Sequence, residues 1–590
     1  MREKKNNSSL NSDFKSNKTQ TGQAEHHHKA SRKITLAKIF DKKEKLALYF
    51  AIFLLVSGLA GWSVYYYFSS TKEIPASGGE YTEGITGKPV YINPLLSQAN
   101  EVDATISGLV FSSLFKYDEN AKIKEDLVKN YEISEDRKTY TLNLKEDVKW
   151  HDGEKLTSED IYFTVNLIKN PQFKSTLRGD FQDVEAEIED EHKIKFTLQE
   201  PYSPFLNKLT FGILPKHIFK SVSSSNFLTS EFNLKPVGSG PFEFSEMEKD
   251  EQDNIISYQL VSNDNYHEKT PYLEKINFNF YTSEEELFQA YNKREISGFG
   301  PFSYNKLSSF ENSENTNVKS FRIPRYFAVF YNQTNSKPLS DENVRKALSY
   351  SIDRESLIKE VFHGHAEKVY SPILNSFGAF SSTPDNIEKY SYNVEKAREV
   401  LDEAGWEKQD DGIRKKDDQE LKIELTCANW ETLDKTAQII KKRWEDIGAK
   451  VEINSLEIND IQQNYIKTRD YESLLFGQEY SGNDPDPYHF WHSSEKNDPG
   501  KNLSLFDEEE VDEILEEARK LASTENRQEK YQEFEKEMAK EVPATFLFSA
   551  NYVYILNDKI KGLETNFITN PAHRFQQANQ WYINTKRVKK

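Results

Sequence analysis

The sequence predicts an α/β fold behind a single membrane span, and three observations carry that expectation. An uncharged run of 23 residues, 46–68, lies near the N-terminus. The strand-like run KIELTC (422–427), a helical stretch stopped by Gly448 and a second strand-like run KVEI (450–453) follow one another as a βαβ unit. Apolar residues recur at helical spacing in several further stretches of the second half. At 590 residues the chain exceeds what one hydrophobic core supports, so two or three domains are expected.

Residues 1–45 hold twelve Lys/Arg against five Asp/Glu and read as a disordered, basic cytoplasmic tail. The run His26-His27-His28 in it would hold a metal only weakly and is read as incidental. Residues 46–68 reach about 35 Å as a helix, enough for a hydrocarbon layer of about 30 Å. Lys38, Lys42, Lys43 and Lys45 crowd its near end, and Trp62, Tyr65, Tyr66 and Tyr67 its far end. The positive-inside rule then keeps the N-terminus in the cytoplasm and exports everything after residue 68. The run is longer than the core of a signal peptide, and neither an A-x-A site nor a cysteine follows it, so an uncleaved anchor is expected. Residues 69–80, SSTKEIPASGGE, read as a flexible linker.

Net charge is −19, and the +7 of the tail leaves −26 for the remainder. An acidic body of that size excludes nucleic acid as a partner, because phosphate neutralisation needs a basic face. A single cysteine, Cys427, excludes a disulfide framework and a cysteine-based zinc site within the chain. Its apolar surroundings read as those of a buried small hydrophobe. The 31 Tyr and 38 Phe supply core material and ligand-facing walls alike.

In the exported part, YTLNLKEDVKWHDG reads as a strand closed by an Asp152-Gly153 turn, and KIKFTL (193–198) alternates until Pro201 stops it. Gly238-Ser239-Gly240-Pro241 reads as a tight turn using positive φ. Val344, Ala347, Leu348 and Ile352 share one helical face within ENVRKALSYSIDRESLIKEVF. Val394, Ala397, Val400, Leu401 and Ala404 do so before the stop at Gly405. Leu433, Ala437, Ile440, Trp444 and Ile447 mark the helix of the βαβ unit, whose strands should be parallel. Val511, Ile514, Leu515 and Ala518 mark one later helix, and Tyr531, Phe534 and Met538 another.

Enzyme signatures fail. GITGKP (84–89) puts Pro89 where a phosphate loop needs Ser or Thr, and HEKTP (267–271) replaces the second zinc histidine with Pro271. No G-x-S-x-G occurs, and Asp410-Asp411-Gly412 suits a hairpin turn better than a calcium loop. The chemistry read here is recognition: no enzyme, no cofactor and no metal site are expected. The run GQEYSGNDPDPYHFWHSS (477–494) is the strongest candidate surface, because its two prolines break helix while its side chains suit ligand contact.

Several runs together resemble the family 5 extracellular solute-binding proteins, the oligopeptide and dipeptide receptors of ABC importers. They include YINPLLSQANEVDATISGLVFSSLFKYDEN (91–120), YTLNLKEDVKWHDGEKLTSEDIYFTV (140–165), GILPKHIF (212–219), KPVGSGPFEF (235–244), VFYNQTNSKPLSDENVRKALSYSIDRESL (329–357), YNVEKAREVLDEAGW (392–406), DPDPYHFWHSS (484–494) and EVPATFLFSANYVYILNDKIKG (541–562). The resemblance implies a two-lobed fold of the type II periplasmic-binding kind, with an extra small subdomain on the first lobe. Lobe I would be 81–324 with 549–590, its subdomain about 112–205, and lobe II 325–548. The lobes would close by hinge bending over a ligand held between them.

The resemblance also implies that loop 477–494 lines the cleft. Many relatives place an Asp there to grip a peptide's α-amino group, but that position falls on or near Ser481, and Glu479 is the only acid just upstream. Capture through the peptide backbone is therefore favoured, since extended backbone offers the same hydrogen-bond pattern whatever the side chains. The expected contacts are Glu479, Tyr480, Ser481, Gly482 and Asn483, with Asn332 near the hinge. Asp484 and Asp486 are expected to cap turns and helix ends, and Trp491 to fill a core. The function implied is a monomeric, membrane-anchored receptor that binds oligopeptides and delivers them to permease subunits. A nickel chelate, haem or an oligosaccharide as cargo, or a sensing role, are the alternatives.

Overall fold

The computed structural model describes residues 41–590 except Asn312, residues 381–386 and Asn483. The tail expected over residues 1–40 lies outside the described residues. The described chain forms two compact units, one of residues 41–73 with Arg587–Lys590 and one of Ile74–Lys586.

The first unit is built on the helix Lys42–Ser70. Asp41 caps it, accepting from Lys42 N at 2.6 Å, while Glu44 accepts from Asp41 N at 2.9 Å. None of its side chains is buried. It is long and apolar enough to cross a membrane. At its far end the Ser70 and Thr71 hydroxyls donate back to the Tyr66 and Tyr67 carbonyls, both at 2.6 Å. Strand Thr71–Ala76 follows at once and pairs with strand Asn584–Lys589. Much of the expected 69–80 linker is therefore strand. Its partner comes from the other end of the chain, so no local pattern announces it.

The second unit contains two large sheets. The first runs, in spatial order, Thr316–Phe321, Tyr552–Asn557, Gly298–Phe299, Glu80–Thr86, Lys275–Tyr281, Ile255–Ser262 and Phe242–Lys249. Glu80–Thr86 is parallel to both neighbours, and the outer pairs are antiparallel. The second runs Ala366–Lys368, Ala544–Ala550, Arg325–Tyr331, Ser473–Glu479, Lys422–Ala428 and Lys450–Leu456. Its last pair is parallel from Lys422 opposite Lys450 to Ala428 opposite Leu456. Helix Glu431–Glu445 crosses between them and buries Leu433, Ala437, Ile440 and Trp444, as the βαβ pattern requires. A smaller antiparallel sheet, Val128–Ile133, Thr139–Leu144, Lys193–Thr197 and Glu185–Asp190, packs into the same core as the first large sheet. The second sheet has its own core.

The chain passes from the first sheet to the second through residues 322–324 and returns at Asn551. The return falls two residues beyond the expected 548/549 boundary, because Ala366–Lys368 pairs alongside as far as Ala550 and prolongs that strand. Two local expectations change. The run 342–362 is two helices, Glu342–Tyr350 and Arg354–Phe362, and Asp353 caps the second by accepting from Ser356 N at 3.0 Å. Gly238 and Gly240 do not use positive φ. They are glycines because an added Cβ would stand 1.9 Å and 2.5 Å from the carbonyl oxygens of Val110 and Leu109. By contrast Gly153, Gly405, Gly412 and Gly448 all take positive φ where stops and turns were expected.

That contrast can be measured. Gly238→Ala should lower the unfolding free energy by about 3 kcal/mol in a urea titration, because the obstacle is backbone. Gly153→Ala, where the space is open, should cost only about 1 kcal/mol of left-handed strain. Equal losses would contradict the close-approach argument.

Candidate functional site

Strand Ser473–Glu479 lies antiparallel to Arg325–Tyr331 and sets Glu479 opposite Arg325, with charged atoms 3.7 Å apart. The loop beyond is held at several points. Tyr480 N donates to the Pro324 carbonyl and its hydroxyl to the Pro372 carbonyl, each at 2.9 Å. Its ring meets Phe377 and Phe490 edge-on, both at 5.1 Å. Asp484 is gripped by both terminal nitrogens of Arg527, one at 2.6 Å. Asp486 accepts from Arg519 Nε at 3.0 Å and Nη2 at 2.7 Å. Tyr531 donates to the Pro485 carbonyl between them at 2.6 Å. Arg519 belongs to helix Glu509–Lys520, and Arg527 and Tyr531 to helix Thr524–Glu541. The loop then makes one turn, Tyr488–Trp491, and buries Trp491, whose Nε1 donates to the Tyr326 hydroxyl at 3.2 Å.

Burial alone would raise the Asp486 carboxyl, but Arg519 outweighs it and holds the group well below the usual carboxylate range. Asp484 and Glu479 are both raised, burial exceeding the opposing pull of Arg527 and of Arg325 respectively. Burial also pushes the Cys427 thiol up to about 11, which leaves it a packed hydrophobe.

This loop forms one wall of a cavity of about 480 Å³, within the size range of small-ligand sites. The facing wall comes from the first lobe and its subdomain: Asp180, Tyr202, Asn207 and Lys208, with Thr176 and Gly179 at the rim. The walls touch. Tyr202 donates to Asp486 Oδ2 at 3.0 Å, Ser203 N donates to the Arg519 carbonyl at 2.8 Å, and the Ser203 hydroxyl donates to the Leu521 carbonyl. The Arg519 guanidinium lies 3.7 Å from the Tyr488 ring centre and 5.4 Å from that of Tyr202.

The residues read from sequence separate clearly. Glu479 and Ser481 line the cavity, and Ser481 is exposed. Tyr480 sits at the wall but is 3% exposed with its hydroxyl spent, so it anchors the loop. Gly482 has φ +99°, and an added Cβ would stand 2.2 Å from the Tyr117 hydroxyl, which makes it the close approach between lobes. Asn332 is fully buried away from the cavity. Its Nδ2 donates to the Arg469 carbonyl at 2.9 Å, and its Oδ1 accepts from Thr334 N at 3.1 Å and the Thr334 hydroxyl at 2.7 Å. Its capacity is used in fixing a turn, and it is not a cleft contact. Asn483 lies outside the described residues. Asp484 and Asp486 are ion-pair partners of arginines rather than caps. Tyr202, Ser203 and Arg519 were missed, because they meet the loop only through tertiary contact.

His267 of the failed zinc motif meets Asp126 and Glu268 at distances a metal would need. The Lys116 ammonium fills that role, 3.0 Å from Asp126 and 2.8 Å from Glu268, with His267 Nε2 2.9 Å from Asp126. The group forms an ion-pair network centred on Lys116 and Asp126.

Residues 122–501 match the family profile "Bacterial extracellular solute-binding proteins, family 5 Middle". The oligopeptide-binding protein AppA of Bacillus subtilis is 26% identical over 517 residues, 86% of this chain and 92% of AppA. The solved structure of AppA from Bacillus subtilis in complex with a nonapeptide superposes with a TM-score of 0.69 at 25% identity, covering 87% of this chain and 100% of that one. NikZ from Campylobacter jejuni in complex with Ni(L-His) gives 0.70 at 27% identity, covering 85% and 99%.

Asp486→Asn leaves Arg519 partly buried without its counter-charge and should lower stability by about 2 kcal/mol at pH 7. Because the folded carboxyl is depressed, its contribution is complete above the unfolded value of about 3.9 and is lost only as pH falls through the lower folded value. The stability gap between wild type and variant, followed by denaturant titration, should thus stay flat from pH 8 to 5 and shrink only in stronger acid.

Proposed function

Because the chain belongs to the bacterial extracellular solute-binding proteins of family 5, non-enzymatic binding receptors of ABC importers, we propose that it is a membrane-anchored receptor that captures oligopeptides and delivers them to permease subunits. The helix Lys42–Ser70 would serve as the anchor, with residues before it in the cytoplasm and the two-lobed part outside. Similarity to an oligopeptide-binding protein across most of both chains supports peptide as the cargo.

The observation that carries the reading is the charge balance of the interlobe cavity. Asp180 is paired with Lys208 at 2.9 Å, Asp484 with Arg527, Asp486 with Arg519 and Glu495 with His489 at 3.3 Å. Glu479 faces Arg325. The three aspartates and Glu479 each face a Lys or Arg, and Glu495 is in contact with the His489 ring, so the cavity does not offer a bare acid to a peptide's ammonium group. Ligand is then held through backbone hydrogen bonds and bridging water, to which the exposed Ser481 contributes. That mode accepts many sequences. His489, the one histidine lining this cavity among the described residues, is occupied by Glu495 and Arg519, which favours peptide over a nickel chelate.

Natively purified protein should release a mixture of short peptides detectable by mass spectrometry, and a single sugar or metal chelate would overturn the reading. N-acetylating a bound peptide should change its Kd by less than about threefold, because no buried ion pair with the amino group is lost. A loss of a hundredfold or more by calorimetry would show that a carboxylate grips the amine after all.

A further inference from the structure

We propose that the outer end of the membrane helix carries a binding site for the phosphate headgroups of acidic phospholipids, formed by Lys72, Lys589 and Lys590 and held in place by Arg587. The inference rests on the reading of Lys42–Ser70 as a membrane anchor. Trp62, Tyr65, Tyr66 and Tyr67 are exposed on the last turns of that helix. Such aromatics settle at the headgroup level. Thr71 follows Phe68 by about 5 Å along the axis, so the residues around it lie within one Debye length, about 10 Å, of the lipid phosphates.

The charge there is opposite to that of the chain. Residues after 45 carry −26 in all, yet residues 69–73 and 587–590 hold four basic side chains against Glu73 alone. Arg587 fixes their placement. Its Nε donates to Thr71 Oγ1 at 2.9 Å, its Nη2 to the Thr71 carbonyl at 3.1 Å and the Phe68 carbonyl at 3.3 Å, and its Nη1 meets Glu73 at 3.3 Å. The Lys590 N–H donates to the Ser70 carbonyl at 3.0 Å. The guanidinium therefore also supplies the cation that the last turn of the helix lacks. With Arg587 and Glu73 engaged in this joint, Lys72, Lys589 and Lys590 are exposed at the helix exit. They would hold lipid phosphate as point charges. Because three of the four basic groups come from residues 587–590, more than 500 residues after the helix, they are assembled only once the chain has folded. The site thus does not compete with the charges that orient insertion.

The test uses the full chain reconstituted in vesicles of equal phosphatidylglycerol and phosphatidylcholine, then native mass spectrometry of lipids retained on the extracted protein. Phosphatidylglycerol should be retained several-fold over phosphatidylcholine. The triple variant Lys72→Gln/Lys589→Gln/Lys590→Gln, which leaves Arg587 in place, should abolish the preference. Peptide binding by the variant should be unchanged, showing that it folds. Equal retention of both lipids, or a preference that survives the triple substitution, would overturn the inference and leave the anchor reading intact. Recovery of the protein in the aqueous phase instead of the vesicles would overturn both.

Discussion

Two aspartates, one residue apart in a loop broken by proline, hold the second wall of the cavity in place. Asp484 and Asp486 each take an arginine from a different helix, and Tyr531 bonds the carbonyl between them. A charge taken out of water without a partner costs several kcal/mol, so neither aspartate nor arginine can leave this arrangement separately. The loop itself has almost no regular structure to stabilise it. Its geometry is borrowed from helices Glu509–Lys520 and Thr524–Glu541, whose apolar faces are fixed in the core of the second sheet. The pairing thereby converts a flexible composition into a rigid surface.

That surface also couples the lobes. The oxygen of Asp486 that accepts from Arg519 Nη2 accepts from Tyr202 as well, and the carbonyls at Arg519 and Leu521 receive Ser203. In the described arrangement the two walls of the cavity are therefore in direct contact. Only two short crossings, at residues 322–324 and Asn551, join the sheets. Closure needs little more than rotation about those crossings, since each sheet keeps its own core. A chain that binds without bond chemistry needs just these parts: two rigid walls, a narrow joint and a set of bonds that form only when the walls meet.

Much of the fold was legible because it is written in local periodicity. The βαβ unit, the helices with apolar faces and the glycine stops at Gly405 and Gly448 depend on residues near one another in sequence. The site was legible only in part. The loop that lines the cavity was picked out by resemblance at the DPDPYHFW run, but the contacts of its single residues were not. Tyr480 and Asn332 looked available and prove engaged, because their partners, Pro372 and Arg469, stand 108 and 137 residues away. Gly238 and Gly240 looked like turn residues and instead admit the backbone near Val110. The supposed linker is half strand for the same reason: its partner lies at the opposite end of the chain.

Hinge closure requires these walls to separate and to meet around cargo. Its most direct test is a distance measurement between spin labels at Glu185 on the small sheet and Glu513 on the second lobe, both exposed, with the buried Cys427 left unlabelled. Protein stripped of ligand by unfolding and refolding should show a longer or broader distance that shortens and sharpens when a mixed peptide pool is added. An unchanged distance distribution across that addition, with peptide retained or not, would contradict closure over cargo.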